Sequence, residues 1–247
     1  MPATPVVLFD LDDTLMAHRE AVATGIVHHM RSRAYFGDEA EAARRWHELE
    51  EEHYLAYLGG ALTFEGQRHA RAVAFARLFG EELDDGAASR WFAEYFDRYQ
   101  ESWALHDDVV PALDALAEAI PGVRFGIITN GELEYQTAKV ARLALDGRID
   151  QVIASGAVGA AKPDSAIFRA ALDRFEAIAP VSAAAYVGDR LRTDAIGAAD
   201  AGLVGVWLNR RNDPVSSDDT AAARAAGVLE IRGLGELPAL LAARWAP

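Results

Sequence analysis

Two aspartates near the N-terminus directly follow a short apolar run. Residues 6–9 have the β-branched and aromatic content of a buried strand, and Asp10 and Asp12 come at its C-terminal end. Ligands bind at this end of the strands in open α/β sheets. Like charges a few Å apart repel by about 4 kcal/mol at an effective dielectric constant of 20, so the first interpretation is a divalent cation between the carboxylates. The alternative is a turn in which they accept backbone N–H groups.

Other polar residues follow later apolar runs in the same way, at positions that suit phosphate or metal binding. They are Thr129, Asn130 and Gly131 at the end of the second predicted strand, and Asp189 and Asp194 after the fourth. Lys162 precedes Pro163, which favours an extended backbone there and places Lys162 at the mouth of a predicted helix. If the first strand is central in a doubly wound sheet, these groups converge. A hydroxyl, an ammonium and several carboxylates around one pocket resemble a phosphoryl-transfer site.

Composition narrows the class of protein. The 247-residue chain contains no cysteine and carries a formal net charge of -14. It is long enough for one large α/β domain, or for a core and a smaller lobe, without disulfides. Its first residues lack the basic region of a signal peptide, and no apolar run approaches the roughly 20 residues of a membrane helix. We expect a cytoplasmic monomer or homodimer. It is expected to bind neither nucleic acid nor membranes, because its negative charge is repelled by the phosphates of nucleic acid and by anionic lipids.

Two patterns divide the chain. Apolar residues recur at helical spacings from about residue 17 to 106, in stretches separated by glycines, which predicts a small helical bundle. Outside this region strands alternate with helices, which indicates a mostly parallel sheet. The predicted fold is α/β: a Rossmann-like, doubly wound core of residues 1–16 and 108–247, with a helical-bundle domain inserted at 17–107.

Four segments in this order resemble the motifs of the haloacid dehalogenase superfamily of hydrolases. The segments are FDLDDTL (9–15), IITNG (127–131), GAAKPD (159–164) and GDRLRTD (188–194). Each alone is a weak indication, but the four together in this order are specific. The inserted bundle is similar to the small α-helical cap of that superfamily, which closes over the active site and selects the substrate.

The resemblance implies catalytic roles for the residues that match. Asp10 would be the nucleophile that attacks phosphorus and forms an aspartyl-phosphate. Asp12 would be the acid that protonates the leaving oxygen, and then the base that activates water. Thr129 and the backbone amides of Asn130 and Gly131 would hold the phosphoryl oxygens.

The resemblance also implies a metal site. Asp10, the backbone carbonyl of Asp12, and Asp189 would hold Mg²⁺, with Asp194 acting indirectly or through water. Lys162 would neutralise the phosphate and the Asp10 carboxylate. Hard oxygen ligands of this kind suit Mg²⁺.

The predicted function is Mg²⁺-dependent hydrolysis of a small soluble phosphate ester, such as a nucleotide or a sugar phosphate. Asp12 favours this chemistry over carbon–halogen cleavage, because a halide needs no protonation and dehalogenating members lack the second aspartate. Gln136 and Lys139, in the helix after the second strand, fit the nucleotidase and sugar-phosphate branch. The alternatives are a phosphomutase using the same site, a 2-haloacid dehalogenase and a non-catalytic regulatory protein with this fold.

Charged residues of the helical region are predicted to face solvent. They include the acidic segment 47–53 and the basic residues His18, Arg19, Arg68 and Arg71, for which a substrate contact is the alternative. Residues 209–219, rich in Asn, Asp and Ser, are predicted to form a surface loop.

Overall fold

The computed structural model describes residues 2–246, which divide into two compact units. One unit comprises the residues up to Met16 together with those from Leu105 onward, and we call it the sheet unit. The other comprises residues 17–104, and we call it the helical unit. A role for the helical unit as a cap stays a prediction.

The sheet unit is built on one parallel sheet. Among residues 2–246, six strands are arranged in the order β3–β2–β1–β4–β5–β6. The strands are β1 (Thr4–Phe9), β2 (Arg124–Thr129), β3 (Gln151–Ala154), β4 (Val181–Gly188), β5 (Val204–Leu208) and β6 (Leu229–Ile231). The first strand is central, with Phe9 opposite Ile127 of β2 and Val187 of β4. The predicted α/β, Rossmann-like fold class is confirmed.

The helical unit is a bundle with an aromatic core. Its helices are α1 (His18–Ser32), α2 (Glu39–Leu58), α3 (Phe64–Arg77) and α4 (Asp85–Glu101). Trp46 is fully buried, and the centre of its ring lies 4.6 Å from that of Tyr95 and 5.2 Å from that of Phe75. Rings from three helices therefore pack together in the middle of the bundle and exclude water from it.

Helices cover both faces of the sheet in the sheet unit. They are α5 (Val109–Ala119), α6 (Leu133–Arg142), α7 (Ser155–Val158), α8 (Ser165–Glu176), a π-helical segment (Leu191–Ile196) continued by α9 (Gly197–Asp200), α10 (Ser217–Ala225), a 3-10 turn (Leu234–Glu236) and α11 (Leu237–Trp245). Val6 and Leu8 of β1 pack in one apolar cluster with Phe168 and Phe175 of α8. Among residues 2–246, none of the helices combines the length and apolar composition needed to cross a membrane.

The loop predicted for residues 209–219 is shorter than expected, because α10 begins inside it. The Ser216 hydroxyl accepts the Asp219 N–H at 3.1 Å and caps the helix. The helix buries none of its residues, so its sequence lacks the apolar period that would indicate a helix. The capping residue was the available signal.

Candidate active site

Three neighbouring strands end at the same edge of the sheet. Asp10 follows β1, Thr129 is the last residue of β2, and Asp189 follows β4. Because these strands are parallel and in register, their carboxyl ends meet at one edge, as the sequence predicts. The Asp10 N–H donates to the Val187 carbonyl at 2.8 Å, which extends the ladder to the first site residue.

Lys162 lies at the centre of a buried cluster at this edge. Its Nζ donates to Asp10 Oδ1 (2.5 Å), to the Tyr186 hydroxyl (2.7 Å) and to Asp194 Oδ1 (2.8 Å). An ammonium has three N–H donors, so all three are engaged. Burial disfavours the charged form of Lys162, but Asp10 and Asp194 outweigh it and raise the pKa of Lys162. Lys162 is therefore a fixed positive charge beside Asp10.

The loop after β2 positions Lys162 through its backbone. Asn130 Oδ1 accepts the Lys162 N–H at 2.8 Å, and Asn130 Nδ2 donates to the Lys162 carbonyl at 3.2 Å. The Gly131 N–H donates to Ser155 Oγ at 2.9 Å, so a contact with a phosphoryl oxygen requires that bond to be exchanged. Thr129 is 2% exposed. The phosphate-binding roles of Thr129, Asn130 and Gly131 stay predictions.

Asp194 reaches the site from the π-helical segment. Its Oδ2 accepts the Arg190 N–H at 2.9 Å, while its Oδ1 accepts from Lys162. Gly188, the last residue of β4, makes this approach possible, because a Cβ there would lie 2.4 Å from Asp194 Cβ and Cγ. Asp194 thus contacts Lys162 directly, a contact that the sequence does not reveal.

Carboxylates outnumber cations in this cluster. Asp10, Asp189 and Asp194 each offer an oxygen within 4.8 Å of the others, and Lys162 contacts Asp10 and Asp194, so the three carboxylates carry more negative charge than this lysine offsets. Burial raises the pKa of Asp10 to about 6, with Lys162 opposing and Asp194 adding to the effect. Burial, Asp10 and Asp194 raise the pKa of Asp189 well above its ordinary value. This set of hard oxygen donors fits a divalent cation such as Mg²⁺, which would offset the remaining negative charge.

Asp12 has a separate cationic partner. Nζ of Lys139, in α6, lies 2.6 and 2.9 Å from the two carboxylate oxygens of Asp12. The Lys139 side chain is 2% exposed and that of Asp12 32% exposed. The two aspartates that follow β1 are therefore each held by a different lysine.

Besides the contact between Asp194 and Lys162, two contacts at this site are not predicted from the sequence. Tyr186 is the first: its hydroxyl donates to the Ile128 carbonyl at 3.1 Å and accepts from Lys162. Tyr186 lies within β4, where the strand pattern predicts a buried side chain but gives no indication that its hydroxyl contacts the site. The second is Lys139, which the sequence associates with a branch of the family but not with Asp12, 127 positions away.

A second charged cluster lies within the helical unit, and we call it the Glu50 cluster. Glu50 Oε1 lies 2.9 Å from Arg71 Nη2, and its Oε2 lies 3.5 Å from His18 Nε2 and 3.8 Å from His47 Nδ1. Arg71 is 6% exposed at its side chain and lies 4.5 Å from the centre of the Trp46 ring. Burial opposes ionisation of Glu50, but Arg71 and the two histidines hold its pKa well below the usual range. The prediction that Arg71 faces solvent is wrong. Glu50, whose side chain is 18% exposed, is partly buried beside it, and each compensates the other's charge.

Comparison with protein families agrees with this geometry. A family model described as haloacid dehalogenase-like hydrolase matches residues 4–202, which include all of the site residues named above. The chain belongs to this family. The predicted membership and the prediction of a hydrolytic enzyme are confirmed.

Known proteins of the haloacid dehalogenase-like family match this chain over different lengths. The chain is 31% identical to ribulose-1,5-bisphosphate 5-phosphatase from Halopiger xanaduensis over 245 residues, 95% of this chain and 98% of that protein. It is 36% identical to phosphoserine phosphatase from Thermus thermophilus over 152 residues, 58% of this chain and 59% of that protein, less than two thirds of its length. The magnesium-bound structure of the putative HAD-hydrolase YfnB from Bacillus subtilis has the same fold, with a TM-score of 0.76 at 22% identity, over 97% of this chain and 99% of that one.

Proposed function

We propose that this hydrolase is a Mg²⁺-dependent phosphomonoesterase that acts through an aspartyl-phosphate on a small phosphate ester, such as a nucleotide or a sugar phosphate. The observation that carries the proposal is the pair of separately held carboxylates after β1, Asp10 with Lys162 and Asp12 with Lys139. A nucleophile and an acid–base group need different environments, and these two carboxylates have them. The two relatives described above are phosphatases by name, which supports the same reaction.

Asp10 is the proposed nucleophile. Lys162 bonds to Oδ1, which leaves Oδ2 to attack phosphorus. A P–O bond to Asp10 forms as the bond between phosphorus and the leaving oxygen breaks. A carboxylate and a phosphate dianion repel each other strongly, and the fixed charge of Lys162 lowers that repulsion.

Asp10, Asp189 and the backbone carbonyl of Asp12 would hold Mg²⁺, and Asp194 would act behind them through its contact with Lys162. When bound, the ion neutralises charge on the transferring phosphoryl group. The excess of buried carboxylates supports this assignment, since those groups are costly to ionise without a further cation.

Asp12 is the proposed acid and base. Its protonated form gives a proton to the leaving oxygen as that bond breaks, which an alkoxide requires and a halide does not. Its carboxylate then takes a proton from water, whose oxygen attacks phosphorus and releases Asp10. The presence of Asp12 is the reason to prefer a phosphatase over a dehalogenase. The same proposal assigns residues 17–107 as a cap that selects the substrate.

The test is release of inorganic phosphate from an aryl phosphate and from a panel of phosphorylated metabolites, with and without EDTA. We expect EDTA to abolish turnover, Mg²⁺ to restore it, and Asp10→Asn to lower kcat by about 10³-fold or more, since removal of a nucleophile leaves only residual catalysis. Asp146→Asn, an exposed carboxylate of the sheet unit, is the matched control.

Other outcomes would replace the proposal. Isomerised sugar phosphate without free phosphate would indicate a phosphomutase, and halide release from a 2-haloacid would indicate a dehalogenase. Full activity of Asp10→Asn would reject the nucleophile. Absence of turnover across the panel would favour a regulatory protein.

A further inference from the structure

Lys139 contacts the proposed acid–base group, Asp12, but has no role of its own in the reaction proposed above. One ammonium lies 2.6 and 2.9 Å from the two oxygens of one carboxylate, so it fixes the direction in which that carboxylate faces. Lys139 is fully buried, and its Nζ also lies 5.3 Å from the centre of the Tyr135 ring. These partners hold the ammonium in one place.

Stability does not account for this pair. Burying a lysine costs desolvation energy that an ion pair seldom repays, and an apolar side chain of similar size usually serves the fold as well. The loop that carries Asp12 is already fixed by its backbone: the Asp13 N–H donates to the Met16 carbonyl and the Met16 N–H to the Leu11 carbonyl, both at 2.8 Å. The backbone therefore places Asp12, and Lys139 adds control of its side chain.

Lys139 also lies on the helix that follows the predicted phosphate-binding loop. Strand β2 ends at Thr129, and α6 begins four residues later at Leu133 and carries Lys139 in its second turn. The same segment thus leads from Thr129 to Lys139 and on to the side chain of Asp12.

We propose that Lys139 is a positioning residue that orients the Asp12 carboxylate for the second half of the reaction, hydrolysis of the aspartyl-phosphate. This inference rests on the proposed function. After Asp12 has given its proton to the leaving oxygen, it is a carboxylate, the form that Lys139 holds. It then takes a proton from water while the water oxygen bonds to phosphorus and the P–O bond to Asp10 breaks, yielding phosphate and free Asp10. Lys139 contacts neither substrate nor water in this scheme.

The test compares wild type, Lys139→Met and Asp12→Asn on 4-nitrophenyl phosphate with saturating Mg²⁺, in a stopped-flow instrument. Nitrophenolate leaves without protonation, so kcat/KM reports phosphorylation of Asp10 and is insensitive to Asp12. With this substrate Asp12 gives its proton to solvent instead of to the leaving group, and it is then the same carboxylate for the second half of the reaction. We expect Lys139→Met to lower kcat by about 10- to 100-fold, the cost of a misplaced catalytic group, with kcat/KM unchanged within about threefold. A burst of one nitrophenolate per active site should precede slow turnover.

A double variant separates positioning from a general effect on the fold. In the Asp12→Asn background, Lys139→Met should cause no further loss, because its action passes through Asp12. Arg142→Met, an exposed residue on α6, is the matched control and should behave as wild type. If Lys139→Met does not fold, as judged by circular dichroism, Lys139→Gln gives the same readouts, with a smaller fall in kcat and the same burst.

Three results would overturn the proposal: a parallel fall of kcat and kcat/KM, unchanged kcat in the folded variant, or a further loss in the Asp12→Asn background. Failure of the proposed function has a different signature, since wild type itself would then release no nitrophenolate.

Discussion

The two charged clusters of the molecule have opposite balances. At the sheet edge, Asp10 and Asp194 contact one lysine, Asp189 lies beside these two carboxylates, and the pKa values of Asp10 and Asp189 are raised. In the Glu50 cluster an arginine and two histidines surround one carboxylate, whose pKa is lowered. A cluster whose charges are balanced by its own side chains needs no further ion, whereas one with excess charge is poised for a ligand of the opposite sign. Burial alone does not distinguish them.

Lys162→Met should have the largest effect, because it removes the cation that contacts both Asp10 and Asp194. We expect kcat to fall by about 10²–10³-fold with saturating Mg²⁺. The free energy of unfolding should fall by about 3–5 kcal/mol, since Asp10 and Asp194 lose their partner. Phosphate release and urea unfolding measure the two effects, with Arg169→Met, exposed on α8, as the control. Retention of more than about a tenth of the activity would contradict the role of Lys162.

Arg71→Met tests the other side of the comparison. It leaves Glu50 without its nearest cation, so we expect the free energy of unfolding to fall by about 3–5 kcal/mol. If this cluster serves the fold, kcat and KM of the folded variant should stay within about threefold of wild type. The double variant Glu50→Leu/Arg71→Met should recover much of the lost stability.

The control for Arg71→Met is Arg45→Met, whose side chain is 41% exposed in an ion pair with Glu48. A large rise in KM without loss of stability would contradict a structural role for the Glu50 cluster, because Arg71 would then be acting on substrate.

The two clusters should make the stability of the fold depend on pH in opposite directions. This effect should be smaller than those of the Lys162 and Arg71 substitutions. The Asp10 pKa is raised from 3.8 to about 6, so its protonated form stabilises the metal-free fold below pH 3.8, and that contribution is lost as the pH rises through 6. The loss amounts to about 3 kcal/mol. The Glu50 pKa lies below its usual 4.5, so its contribution is present above pH 4.5 and is lost as the pH falls further.

Urea unfolding in EDTA at pH 4, 5 and 7 measures the contribution of Asp10, and Mg²⁺ should restore more stability at pH 7 than at pH 5. Asp10→Asn should weaken the dependence between pH 4 and 7, and Asp189, whose pKa is also raised, should account for what remains. An unchanged slope in that variant would show that Asp10 does not titrate in this window.

Sequence reasoning identified the groups that come directly after strands, because strand order and parallel direction determine where those groups meet. Asp10 and Asp189 are of this kind, and an apolar run followed by a carboxylate identifies each. It missed the contacts that depend on side-chain packing between distant segments. Tyr186 reads as an ordinary strand residue, and only the fold brings its hydroxyl 2.7 Å from Lys162.

The same limit explains the error in the helical unit. Glu50 and Arg71 read as solvated charges because charged residues on helices usually are. Their burial results from the packing of α2 on α3, where Arg71 lies over the Trp46 ring. No local pattern records a partner 21 positions away.

The hydrogen bonds of Lys162 have one further consequence for how the molecule meets its substrate. The three ammonium protons of Lys162 are already donated to Asp10, Tyr186 and Asp194. The charge of Lys162 therefore attracts an anion, but the side chain has no further N–H with which to donate a hydrogen bond to it. Selection of the phosphoryl group then falls to its other neighbours, and the lysine sets only the local potential. Without its metal, such a site remains an unfavourable place for an anion, even with a cation at its centre.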